Sequence, residues 1–178
     1  MTASDKEHIK SALIETLRQG AELLELLSDS LYRERIPDVY DASIGGHYRH
    51  CLEHFQNLVT EGDHLDYDAR KRDPVLETDR EQALQTTFAL LDQLEQMEAK
   101  GLARSVKLRC RVSCLDDGSP WVDTTLAREA VYAVVHAVHH YALIGVICRM
   151  RGLELPSGFG VAPSTVKYRQ APQVCQQR

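Results

Sequence analysis

Apolar residues recur at helical spacing in four stretches of the chain, and proline, glycine and charged segments separate them. The first stretch carries Ile9, Ala12, Leu13, Leu17, Ala21, Leu24, Leu27 and Leu31. Its helix is predicted to begin near Ser4, because "SDKE" has the capping-box form with Ser4 as cap and Glu7 reaching back. It should stop before "RERIPDVYDAS", where Pro37 breaks the pattern. A second helix is predicted over residues 44–60, "IGGHYRHCLEHFQNLV" and the threonine after it. The polar segment "EGDHLDYDARKRDPVLE" that follows reads as a long loop. A third helix is predicted with Thr78 as cap and Glu81 three residues on; it carries Ala83, Leu84, Phe88, Leu91 and Leu94 and ends at Gly101.

The period then changes from helix to strand. Val106, Leu108, Cys110 and Val112 alternate with Lys107, Arg109 and Arg111. "DDGSP" is turn chemistry, and "WVD" is read as the returning strand of a hairpin. A fourth helix is predicted over residues 125–151, with Gly152 at its C′ position. The tail, residues 153–178, is too rich in proline and glycine for a long helix. Its "FGVAPSTVKYR" is too apolar and aromatic to hang free, so it should pack back on the helices. The expected fold is therefore all-α: an up-and-down four-helix bundle in one domain, with a small β-hairpin between helices three and four and an ordered tail.

Composition narrows the function. The 178 residues carry a net charge of −5 and 43% hydrophobic residues. An acidic chain lacks the basic face that nucleic acid demands, so no nucleic-acid partner is expected. The most apolar stretch, residues 130–147, is interrupted by histidines, and no membrane span is expected from it. "MTASDKEHIK" shows no export signal, and five cysteines match no disulfide or zinc-ribbon spacing; the expectation is a cytoplasmic protein with reduced thiols.

The histidines change the picture. Three of the eight fall in "HAVHHYALI", at 136, 139 and 140. Residues four apart on a helix lie about 40° apart in azimuth, so His136 and His140 share one stripe, whereas His139 is about 60° from His136 on the other side. Two imidazoles so placed can reach one metal at about 2.0–2.1 Å. The second helix offers His47, His50 and His54 in one narrow sector. One of these meeting His136 and His140 gives three protein ligands and leaves other positions to water or substrate. Spacing leaves the choice among the three open, and the apolar face slightly favours His47 or His54. A hydrogen-bonded core network is the competing reading of the same residues.

Two blocks, "SIGGHYRHCLEHF" and "HAVHHYALI", with "YDARKRDPVLETD" and "FGVAPSTVKYR" in the same order, resemble the DinB/YfiT-like superfamily of metal-dependent helical proteins, in a bacterial subfamily. The resemblance runs from about residue 5 to 170. It implies a four-helix bundle binding one divalent ion, zinc or nickel first, through His50, His136 and His140, with His47 the second choice on helix two. His50 holds the family position because Glu53 follows it by three residues. Family members include transferases that use low-molecular-weight thiols, so the resemblance implies a metal-dependent transferase or hydrolase acting on a small molecule or thiol.

Around that core, Glu53 and Glu129 are the candidates for general base or for orienting a ligand. Arg70 and Arg72, with Tyr67 and Asp68, are candidates for a substrate-binding rim that recognises anions. Glu77 and Arg128 are expected to pair, and Cys51 and Cys148 to lie in the core. The alternative function is a metal-binding or structural protein without catalysis, and a homodimer is the expected assembly.

Overall fold

Thr2, rather than Ser4, starts the first helix. In the computed structural model, which describes residues 1–60, 62–115 and 118–171, helix α1 spans Ala3–Leu26. The Thr2 hydroxyl accepts from the Asp5 amide at 3.1 Å, and the Asp5 carboxylate accepts from the Thr2 amide at 2.7 Å. The capping box has therefore moved two residues toward the N-terminus. Helix α1 ends before Ser28, which caps a separate short helix α2, Asp29–Arg33.

Helix α3, Ile44–Val59, is capped by the Ser43 hydroxyl, which accepts from the Gly46 amide at 3.0 Å. Asp79, rather than Thr78, caps α5, Arg80–Gln96; Thr78 instead closes the short helix α4, Pro74–Thr78. Helix α6, Leu126–Met150, starts at Thr125 as predicted, and Gly152 takes φ 73° just beyond its end. That left-handed conformation costs glycine least.

The four long helices pack together, α1 against α5 and α6, and α3 against α5 and α6. Their shared core holds Leu13, Leu17, Leu24, Leu52, Phe55, Leu94, Ala130, Ala137 and Ile144. Each fully buried leucine contributes about 1.5–3 kcal/mol of apolar transfer. Buried tyrosine hydroxyls find partners, as burial requires. Tyr48 bonds Thr87 at 2.9 Å, and Tyr141 donates to the Thr16 carbonyl at 3.1 Å. Gly45 lets α3 approach α4, because a Cβ there would collide with the Glu77 carbonyl and the Tyr32 ring. Phe88, expected inside, is 44% exposed.

The expectation of an all-α bundle with a two-stranded hairpin is overturned by a three-stranded mixed sheet beside seven helices among the described residues. Strand β1, His64–Asp66, runs parallel to β2, Ser105–Arg109; β3, Trp121–Thr125, runs antiparallel to β2. Strand β1 lies inside the segment read as a loop. Only Leu65 of its three residues is apolar and buried, too short a run to show a period. Its partner is some forty residues away in the chain, which local pattern cannot reveal. The hairpin strands are shorter than the alternation indicated. Cys110 and Cys114 fall beyond β2, in irregular chain.

The sheet fastens the chain after α3 to the start of α6. The Tyr67 amide extends the pairing to the Arg109 carbonyl at 3.0 Å, and the Leu126 amide donates to the Arg104 carbonyl at 3.1 Å. The first part of the tail, over residues 153–159, lies against the helices. Leu153, Leu155 and Phe159 pack on the core, and Phe159 stacks on Tyr141 at 5.1 Å. A last helix, α7, Pro163–Gln170, buries none of its residues. Residues 172–178 of the expected tail lie outside the described residues. By length and composition α6 is long and apolar enough to cross a membrane. A core helix passes the same test, and one face of α6 is packed into the core. Cys51 and Cys148 are buried free thiols.

Candidate metal centre

Helices α3 and α6 lie against one another, and their histidine stripes meet at that contact. His50, His136 and His140 each offer a ring nitrogen, and the three nitrogens lie within 4.8 Å of one another. The three residues are only partly buried. His50 Nε2 and His136 Nε2 are 2.8 Å apart. The His50 and His140 ring centroids are 4.7 Å apart, and those of His136 and His140 are 4.6 Å apart. Three neutral imidazoles are a donor set suited to a divalent transition metal. Bonds of about 2.0–2.1 Å in a tetrahedral arrangement need ligand nitrogens a little over 3 Å apart, which side-chain adjustments of ångström scale supply. Among the described residues no carboxylate or thiol joins the group.

Burial keeps these rings uncharged. It pushes His50 down to about 2, with the Arg70 guanidinium as the next cause. The same two causes push His54 to about 3. Burial, then His136 and His47, push His140 to about 3. His136 and His47 are lowered in the same direction, again chiefly by burial. Metal ligation requires the unprotonated ring, so the site is in the ligating charge state at neutral pH.

The remaining histidines take distinct places. His47 Nδ1 is 3.0 Å from His140 Nδ1, and its Nε2 is buried without a partner. His54 is buried, with its ring 4.6 Å from that of His136. His139 is exposed and stays outside the group, as its angular offset implied.

Arg70 reaches the cluster and Arg72 does not. The Arg70 Nη1 donates to His50 Nδ1 and, at 3.0 Å, to His54 Nε2, while its Nε donates to the Tyr67 carbonyl at 2.7 Å. Arg72 is exposed, with φ 49°. Asp68 faces the sheet connection, where it accepts from the Arg111 amide at 3.0 Å and the Ser119 hydroxyl at 2.6 Å.

Neither candidate base is free. Glu53 is 3% exposed and accepts from the Asp73 amide at 3.1 Å, with Arg49 at 3.8 Å and Arg70 at 3.9 Å. It holds the 68–73 loop and the arginine that contacts His50. Glu129 is fully buried and accepts from Tyr67 Oη at 3.1 Å, Thr124 Oγ1 at 2.9 Å and Arg128 at 3.3 Å. It fixes Tyr67, whose ring stacks on Tyr132 at 5.9 Å; Tyr132 stacks in turn on His136 at 5.3 Å. Both carboxylates orient neighbours and touch none of the three clustered nitrogens. Arg128 pairs with Glu129, and Glu77 pairs with Arg49 at 3.3 Å and Arg35 at 3.4 Å, so the expected Glu77–Arg128 pair does not form.

Sequence reasoning missed the contact of Arg70 with two histidines and that of His47 with His140. It also missed the role of Thr124. Tyr132 had a signal, four residues before His136 on one stripe. Thr124 had none, since it acts from a strand.

Comparison with known proteins adds little to this geometry. A protein named FK506-binding protein 5, from Rhizopus delemar, is 34% identical over 104 residues. The match covers 58% of this chain and 27% of that protein, so the matched part spans about a quarter of its relative. No family model matches the chain. No solved structure matches it either.

Proposed function

We propose that the protein is a metal-dependent enzyme, a transferase or hydrolase, that binds one divalent ion through His50, His136 and His140, with zinc or nickel the preferred ion. The observation that carries the reading is the convergence of three neutral imidazole nitrogens within 4.8 Å, partly open to solvent and with no fourth protein ligand among the described residues. Such a set leaves a coordination position for an outside ligand. An ion held there supplies Lewis-acid chemistry, lowering the pKa of a water or thiol that it binds. The chain's own residues bind and orient. His50, His136 and His140 hold the ion. Arg70 places a cation against the cluster, suited to the anionic end of a small substrate. The Tyr67–Tyr132 stack walls one side. The DinB/YfiT-like resemblance supports the same reading, with a low-molecular-weight thiol as co-substrate.

A metal-binding protein without catalysis is the second reading. The full engagement of Glu53 and Glu129 in hydrogen bonds favours it, since neither is available as a base. One experiment separates the two. Protein purified without a histidine tag should hold about one divalent ion per chain, and His136→Ala or His140→Ala should lose it. With Co(II) in the site, azide, imidazole or a small thiol should change the visible spectrum. A metal-free wild-type protein that takes up no ion rejects both readings. A Co(II) spectrum indifferent to every added ligand rejects the enzyme and leaves the carrier.

A further inference from the structure

Resting on the metal site proposed above, we propose that His47 is a positioning residue that accepts the Nδ1 proton of His140 and so holds the His140 Nε2 lone pair toward the ion. The observation is the 3.0 Å approach of the two Nδ1 atoms. Between two neutral imidazoles that approach is a hydrogen bond with one proton. The ring that keeps the proton on Nδ1 has its lone pair on Nε2. The ring that accepts must carry its own proton on Nε2 and has no lone pair there. Only one of the pair can therefore offer Nε2 to a metal.

The cluster says which. His140 belongs to the converging trio and His47 does not. His140 is thus the donor, and His47 the acceptor. The second ring nitrogen of His47 is buried without a partner, and His47 lies outside the three-histidine group. The arrangement has a general logic. A ligating imidazole is commonly held by an acceptor on its other nitrogen, which fixes its tautomer and raises its basicity. Here a second imidazole serves in place of the usual carboxylate or carbonyl. The i, i+3 spacing of His47 and His50 puts this acceptor and a ligand on one face of α3.

The test is zinc affinity in the full-length chain, read by competition with a chromophoric chelator, with Co(II) spectra as a second readout. Three variants are needed. His140→Ala removes a ligand and should weaken binding more than about 100-fold. His47→Ala removes the acceptor and should weaken binding about 10- to 100-fold. His47→Asn restores an oxygen near the place of Nδ1 and should return affinity to within about threefold of wild type. The Co(II) spectrum per bound ion should be unchanged by both His47 variants, because the ligand set is the same. His47→Asn as weak as His47→Ala overturns the proposal, as does a His47→Ala with wild-type affinity. An altered Co(II) spectrum in the His47 variants overturns it in favour of His47 as a ligand. Wild-type affinity in His140→Ala strikes instead at the metal site itself. Far-UV circular dichroism of each metal-free variant confirms that folding is intact.

Discussion

Arg70 and a metal ion compete for the same histidine, and Arg70→Met should make the metal bind more tightly. An arginine donates and cannot accept, so the Arg70 Nη1 contact requires the lone pair of His50 to sit on Nδ1 and its proton on Nε2. Ligation through Nε2, the atom that faces His136, requires the reverse arrangement. On loading, the proton moves to Nδ1 and confronts the guanidinium, and the contact must break. A hydrogen bond to a charged group contributes about 1.5–3 kcal/mol. Removing the guanidinium relieves that cost before the ion arrives, and so tightens binding about tenfold to a hundredfold at 1.4 kcal/mol per decade. Loss of a positive charge beside a dication acts in the same direction. Methionine keeps the side chain's apolar length but leaves Glu53 with Arg49 and the Asp73 amide as its partners. The metal-free variant should therefore be less stable, by about 1–3 kcal/mol. The assay is competitive zinc titration at one pH on wild type and variant, alongside thermal unfolding without metal. Equal or weaker zinc binding in a folded Arg70→Met refutes the tautomer argument. A confirmed gain implies that loading frees Arg70 to meet an anionic substrate beside the ion.

Other expectations follow from the same contacts. His50→Ala should cost far more zinc affinity than His54→Ala, because His54 lies outside the converging trio; titration of both variants checks this, and a larger loss at His54 would move the ligand one turn along α3. Metal-free protein should lose stability as acid is added: histidines held near 3 stay neutral in the native state while the unfolded chain takes up protons below about 6.5, so stability is full above that value and falls as pH drops toward 3. Scanning calorimetry with chelator at pH 7 and pH 4.5 reads it, and an unchanged midpoint is the contrary result. Glu129→Gln turns an amide donor toward hydroxyls that donate to it, and should destabilise the fold by about 1–3 kcal/mol in chemical denaturation while leaving zinc affinity within a few-fold; a collapse of affinity would make Glu129 part of the site.

The sequence by itself determined the four long helices and which histidines share a stripe. Both are matters of local period, because 3.6 residues per turn places His136 and His140 together whatever surrounds them. It also placed the starts of α3 and α6, near residues 44 and 125, where the structure shows the Ser43 and Thr125 hydroxyls each accepting one amide about a turn later. Thr2 and Asp79 escaped because adjacent residues offered equally good caps, and the choice between them depends on where the neighbouring chain must go. Tertiary structure alone decided the rest. Strand β1 exists because β2 lies alongside it, an interaction invisible in a three-residue run with one buried apolar side chain. That pairing pins Tyr67 and turns the charged loop inward, which is why Arg70 meets the histidines while Arg72, two residues on, faces solvent. Spacing on α3 left His47, His50 and His54 as equals. The packing of α3 against α6 separated them, bringing His50 into the trio, His47 onto the back of His140 and His54 beside Arg70. Periodicity specifies the face of a helix, but the rotation and height at which two faces meet are set by the side chains packed between them.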